Sequence, residues 1–205
     1  MMNTINNINY SIFTSSNMPI FYINYSLWFL VSFFFSIYYQ LNLYFVLYGF
    51  LFWSFWEYIY HRSIMHGLKN TIYYYKMHGH HHMYPSKPSH IPVFQYIIVF
   101  PIFFMSSYVV EPSFVFSYLL GHMCGLYCFE SMHYFIHNDI NKEKIYTKYH
   151  LYHHSHSQKA FCFTSPCFDI LCGTFPEDKF SYNFIAVLPI PYISFYGVSE
   201  KKVID

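Results

Sequence analysis

Charge is what this sequence has least of. Asp, Glu, Lys and Arg make up 10% of its 205 residues, against about a quarter in an ordinary soluble domain. The formal net charge of +1 sets up no global field to recruit a polyanion, and no Arg/Lys stripe is present to grip a phosphate backbone, so nucleic-acid binding is set aside. Cysteine is scarce and poorly spaced. Cys124, Cys128, Cys162, Cys167 and Cys172 are odd in number and lack Cys-x-x-Cys spacing, which excludes both a disulfide framework and a thiolate metal site. Residues 1–19 are polar and lack the basic segment of a cleaved signal peptide. What the chain does have is apolar surface: 55% hydrophobic and 25% aromatic residues. That balance describes a membrane protein built as one compact unit.

The apolar residues fall in four runs. Residues 20–39 are uncharged and long enough to span a bilayer, at roughly 20 residues. The polar break Gln40-Leu41-Asn42 follows, and residues 43–60 form a second run that leads directly into His61. Residues 91–110, with a kink expected at Pro101, and residues 114–135 form a second pair around the break Glu111-Pro112-Ser113. The expected fold is therefore an all-α membrane protein, with four transmembrane helices in two hairpins and a cytosolic histidine-rich helical cap. The units are a cytosolic tail (1–19), hairpin one (20–60), the first histidine-rich segment (61–90), hairpin two (91–136) and the cap (137–205). Within the cap, the proline-broken stretch 180–197 reads as interfacial. All eleven Lys and Arg residues lie in 61–90 and 137–205 and none in the opposite turns. By the positive-inside rule that face, with the N-terminus, is cytosolic.

Histidine is abundant, and its spacing is the strongest signal. His78, His81 and His82, and again His150, His153 and His154, stand at i, i+3 and i+4, so each triplet can aim three imidazoles from one side of a helix. His133 and His137 make an i, i+4 pair. His61 and His66 are five apart, about 140° around a regular helix. They are therefore expected either to straddle a helix end or to serve two different ions, which favours more than one metal. A single histidine tract is more often a low-complexity surface; four separated groups at one membrane face are not, and imidazole-only ligation suits iron or zinc. His80 points away from His78, His90 belongs at the headgroups, His122 reads as a satisfied interior histidine, and His156 as an outer neighbour of the ligands. Glu57 and Glu130 each lie one turn before a ligand histidine, positioned to accept an imidazole N–H and orient it.

These residues resemble the fatty acid hydroxylase superfamily, and within it the fatty acid 2-hydroxylases. The first box is similar to Glu57-Tyr-Ile-Tyr-His61-Arg-Ser-Ile-Met-His66, the second to His78-Gly-His-His81-His82, the third to Glu130-Ser-Met-His133-Tyr-Phe-Ile-His137, and the fourth to His150-Leu-Tyr-His153-His154. The run from Phe161 through Thr164-Ser165, Phe168-Asp169 and Gly173-Thr174 resembles the landmarks that follow. Departures are Glu130 where the family usually has Asp, Asn138 where a further His is common, Phe168 where Trp is usual, and the Pro-rich stretch 85–92.

The resemblance implies an oxygenase with a two-metal centre of ten histidines: His61, His66, His78, His81, His82, His133, His137, His150, His153 and His154. Iron is expected for activity, because zinc cannot change oxidation state, with Glu130 as a supporting residue behind the ligands. The substrate expected is a bilayer lipid whose acyl chain is hydroxylated at C2. Its electrons come from a separate cytochrome b5 and its NAD(P)H reductase, since the short tail holds no such domain. The expected location is the endoplasmic reticulum membrane, although the ending Lys201-Lys202-Val-Ile-Asp205 is only a near miss to a dilysine retrieval signal. Two rivals stand beside this reading: a sister oxidation of a sterol or long-chain base, and a non-catalytic zinc-binding protein or transporter.

Overall fold

The computed structural model describes residues 18–67, 78–85, 93–138 and 142–201. The N-terminal tail, the Pro-rich loop with His90, and Lys69, Lys76, Lys87 and Lys202 lie outside the described residues.

Helices α1 (Met18–Tyr38) and α2 (Leu43–Ile59) are joined at the polar break, where Gln40 takes a left-handed φ of 64° and Asn42 caps α2 by accepting from Tyr44 N at 3.0 Å. A side-chain oxygen at that position satisfies one of the amides a helix start leaves unpaired. Helix α3 (His80–Met83) is a single turn, and α4 (Val93–Ser106) contains Pro101. Helix α5 (Pro112–Asn138) is the spine against which α1, α2 and α4 pack. Helices α6 (Ile145–Ser155) and α7 (Cys167–Leu171) follow. The four apolar runs thus coincide with α1, α2, α4 and α5, although no described helix is long and apolar enough to cross a membrane.

Two features fix α5 against its neighbours. At the crossing with α2 the backbones touch: a Cβ on Gly49 would lie 2.2 Å from Tyr118 O, and one on Gly121 only 1.9 Å from Val46 O. Small residues permit this approach and nothing larger does. Against α1, Phe116 is held between Phe35 and Tyr39 at centroid distances of 4.9 and 5.0 Å, and Ser36 Oγ donates to Phe116 O at 2.8 Å. The core then runs along α5 through Leu119, Met123, Leu126 and Met132 into the cap, where it meets Tyr149, Phe163, Phe180 and Phe195.

The structure departs from an all-α chain in the segment after α7. Phe180–Tyr182 and Val198–Glu200 pair as a short antiparallel ribbon, with Phe180 opposite Glu200. Between them lie two 3-10 turns, Phe184–Val187 and Ile193–Gly197. Pro189 and Pro191 deny that stretch the amides a longer helix needs. Phe184 and Tyr196 remain exposed on it.

Candidate metal centre

Helix α2 does not end where its apolar run ends. It widens into a π-helical turn, Tyr60–Met65, in which His66 N donates to His61 O at 3.0 Å. Bonding from i to i+5 brings residues five apart onto one line. Of the two expectations for His61 and His66, the helix end holds, since His61 lies within the π-helical turn and His66 caps its end, while service to two different ions fails, since both imidazoles enter the same group.

The ten histidines form two groups of five. His61, His66, His78, His82 and His153 make the first, and His81, His133, His137, His150 and His154 the second; within each, one ring nitrogen per residue lies within 4.8 Å of all the others. The triplets are therefore divided, where the sequence suggested that each converges on one point. In both, the i and i+4 imidazoles share a group and the i+3 imidazole crosses to the other: His78 and His82 against His81, His150 and His154 against His153. Helix geometry allows this, because i+3 and i+4 sit about 100° apart while i and i+4 differ by only about 40°. The groups abut, with the His82 and His154 rings 4.5 Å apart.

The spacing fits a cation in each group. In the first, Nε2···Nε2 separations are 3.0 Å for His61–His78 and His66–His153, 2.8 Å for His66–His78 and 2.9 Å for His78–His82. In the second they are 2.9 Å for His81–His133, 3.0 Å for His137–His150 and 3.1 Å for His150–His154. Ligand nitrogens about 2.1 Å from a metal and at right angles about it stand roughly 3.0 Å apart.

The tautomers agree. His61 Nδ1 contacts the Phe161 carbonyl and His153 Nδ1 contacts the Lys159 carbonyl at 2.8 Å. A carbonyl only accepts, so each Nδ1 carries the proton and each Nε2 turns a bare lone pair into the cluster. Burial, and then the neighbouring imidazoles, holds His61, His78 and His150 well below the ordinary histidine value, and His153 too. His154 is drawn down to about 3, again chiefly by burial. At neutral pH all five are uncharged and ready to ligate.

The expected orienting role of Glu57 is corrected. Glu57 is buried, and both its oxygens are engaged elsewhere: Oε1 accepts from Phe163 N at 2.7 Å and Thr164 N at 3.1 Å, and Oε2 accepts from the Thr164 hydroxyl. Glu130 is buried on α5 one turn before His133. His122 is interior, its ring 4.9 Å from that of Trp53, but it is not satisfied as expected, since its buried Nδ1 has no hydrogen-bond partner among the described residues. His156 is exposed and stacks on Tyr152 at 4.0 Å, away from both groups. No role was expected for Asp169, whose only signal in the sequence is its place among the landmarks after the fourth box. It is fully buried and accepts from Phe161 N (2.9 Å), Cys162 N (2.7 Å), Thr174 Oγ1 (2.6 Å) and Tyr149 OH (3.1 Å). Burial pushes its carboxyl up to about 6 against those four donors.

Comparison with known proteins agrees with this site. The "Fatty acid hydroxylase" family model matches residues 46–174, which contain all ten histidines. Dihydroceramide fatty acyl 2-hydroxylase FAH1 of Arabidopsis thaliana is 32% identical over 146 residues, covering 65% of this chain and 61% of the relative. Dihydroceramide fatty acyl 2-hydroxylase FAH2 of the same plant is 29% identical over 145 residues, with the same coverage. The chain spans about three-fifths of the length of these relatives. Among solved structures, full-length Scs7p, of which only the hydroxylase domain is visible, has the same fold. The TM-score is 0.64 at 22% identity, covering 75% of this chain and 66% of that one. Two five-imidazole groups, the order of the four histidine boxes and the span of the family match lead to one conclusion: the chain belongs to the fatty acid hydroxylase family.

Proposed function

We propose that this chain is a membrane-bound oxygenase that hydroxylates C2 of a fatty acyl chain, either free or in N-acyl linkage to a sphingoid base. The observation that carries the reading is the pair of abutting five-nitrogen groups, each with the edge lengths of a metal coordination shell. Five protein ligands per metal leave an open position in a six-coordinate shell, and iron bound there would supply the capacity to activate dioxygen toward an unactivated C–H bond. The ten histidines are the ligands in this reading. The chain's own part is to keep the imidazoles neutral, to hold their Nδ1 protons away from the cluster, and to bury the site. The names of the Arabidopsis relatives support an acyl amide as substrate class.

Helices α1, α2, α4 and α5 are the four spans of this proposal, tilted or flanked to match the bilayer, with the histidine groups at the cytosolic face of the endoplasmic reticulum. The partition of the eleven basic residues supports that orientation. The acyl chain enters laterally with its carbonyl end at the cytosolic site, which brings C2 nearest the metals. Electrons come from a separate cytochrome b5 and its NAD(P)H reductase.

Lipid analysis of cells with and without the protein tests the proposal. Loss of 2-hydroxy acyl sphingolipids is the expected result. Altered sterols or long-chain bases point to a sister oxidation instead, and unchanged lipids with altered cellular zinc to a metal-binding protein that does no chemistry.

A further inference from the structure

The loop 159–164 touches both histidine groups, and two buried carboxylates hold it, each gripping a different half. Its first half serves the first group. The Lys159 and Phe161 carbonyls accept from His153 and His61, and the Phe161 ring lies 5.4 Å from His66, 5.5 Å from His153 and 5.7 Å from His61. Its second half serves the second group: the Phe163 ring lies 4.5 Å from His150 and 5.1 Å from His133, and reaches His61 only at 6.0 Å. Asp169 takes the amides of Phe161 and Cys162, and Glu57 takes those of Phe163 and Thr164. Neither carboxylate touches a histidine through these bonds.

His61 and His153 in the first group have backbone carbonyls at Nδ1. In the second group Nδ1 of His150 meets no such carbonyl among the described residues, and the Phe163 ring packs against that imidazole at 4.5 Å.

We propose that Asp169 and Glu57 are positioning residues that divide the labour. Asp169 sets the first metal site through the Phe161 carbonyl, and Glu57 sets the second through the Phe163 ring. The assignment rests on the two-metal reading of the histidine groups. It has a chemical logic beyond general packing. The carboxylate of Asp169 offers one oxygen to each of two backbone amides; an Asn of the same shape offers one oxygen and turns an NH2 toward the other amide. Donor then faces donor, and the register of the loop is lost at that half alone. Glu57 gives both amides of the other half the same oxygen, Oε1, which a Gln would keep, so the change that loosens that half is Glu57→Leu, which removes the acceptor altogether. Outer partners of metal ligands contribute about 10–100-fold in metal affinity when changed.

The test uses the full chain purified from membranes in detergent. Metal content and competitive chelator titration are run with cobalt(II), whose visible spectrum reports each site, and His66→Ala and His137→Ala serve as references lacking the first or the second site. Asp169→Asn is expected to weaken the first site about 10–100-fold and leave the second unchanged, its residual spectrum matching the His66→Ala reference. Glu57→Leu is expected to show the reverse, matching His137→Ala. Should either variant fold poorly, Tyr149→Phe and Thr164→Val remove a single donor from Asp169 and Glu57 respectively and must show the same site preference in milder form. Equal weakening of both sites by each carboxylate variant, or no effect on either, overturns the assignment while leaving the two-metal reading intact. A wild-type chain that binds fewer than two cobalt ions overturns both.

Discussion

Replacing Gly121 by alanine adds one methyl group and should loosen the whole bundle. The new Cβ would stand 1.9 Å from Val46 O and 2.8 Å from Phe50 N, both backbone atoms of α2, whereas real Cβ atoms essentially never approach within 3.0 Å of such neighbours. No rotamer change relieves a clash between backbones, so α2 and α5 must part by roughly 1 Å at their crossing. Helix α2 runs straight into His61, and α5 carries His133 and His137. A displacement of that size compares unfavourably with the tolerance of a few tenths of an ångström in metal–nitrogen bonds. Overpacking of this kind costs about 1–3 kcal/mol, which for a chain of this length lowers the melting temperature by about 2–12 °C. Gly173→Ala is the control. Gly173 has a left-handed φ of 71° and nothing within 4 Å of its absent Cβ, so that change costs only the left-handed backbone penalty of about 1–2 kcal/mol and displaces no neighbour. The assay is thermal unfolding in detergent, with metal content measured on the same samples. Gly121→Ala is expected to lose more stability than Gly173→Ala and to lose bound metal as well. If both variants melt together and keep their metal, the close crossing is not what sets the geometry of the centre, and the reasoning fails.

Three further outcomes are expected. Because the i+3 histidine of each triplet belongs to the opposite group, His81→Ala combined with His137→Ala should cost one metal per chain, whereas His81→Ala combined with His66→Ala should cost both; metal analysis of the two double variants decides. The folded-state values of His61, His78, His150, His153 and His154 lie below the ordinary 6.5, so the unfolded chain takes up more protons at these residues on acidification. Their contribution to the stability of the metal-free protein is therefore complete above about pH 6.5 and is lost as pH falls below it, measured as a fall in melting temperature on acidification from that pH; no fall would contradict the burial of these rings. Gln40 is exposed and left-handed at a φ of 64°, so Gln40→Gly relieves a strain of about 1–2 kcal/mol and should raise stability by several tenths of a kcal/mol or more once the greater freedom of unfolded glycine is subtracted.

The legible part of this protein is what short-range periodicity encodes. Apolar runs located α1, α2, α4 and α5 to within a few residues, and i, i+3, i+4 spacing picked out eight of the ten histidines now found in two groups, His61 and His66 standing five apart. What periodicity cannot encode is the choice among directions that are nearly equivalent on an isolated helix. His81 and His82 were indistinguishable as partners of His78, because both lie within about 60° of it. Only the arrival of His66 on one flank and His133 on the other separates them. The π-helical turn is hidden for a related reason: its extra residue per hydrogen bond leaves no compositional mark, so five-residue spacing looked like divergence when it was alignment. The loop 159–164 is the least legible of all. Its contribution to the first group is made by carbonyls, which every residue possesses. Glu57 meets its partners more than a hundred residues away, so no window along the chain contains both ends of that interaction. Read together, these failures have one cause. Local pattern in this sequence specifies which side chains can become ligands, while the division of ligands between the two groups is fixed by backbone groups and distant carboxylates that carry no pattern of their own.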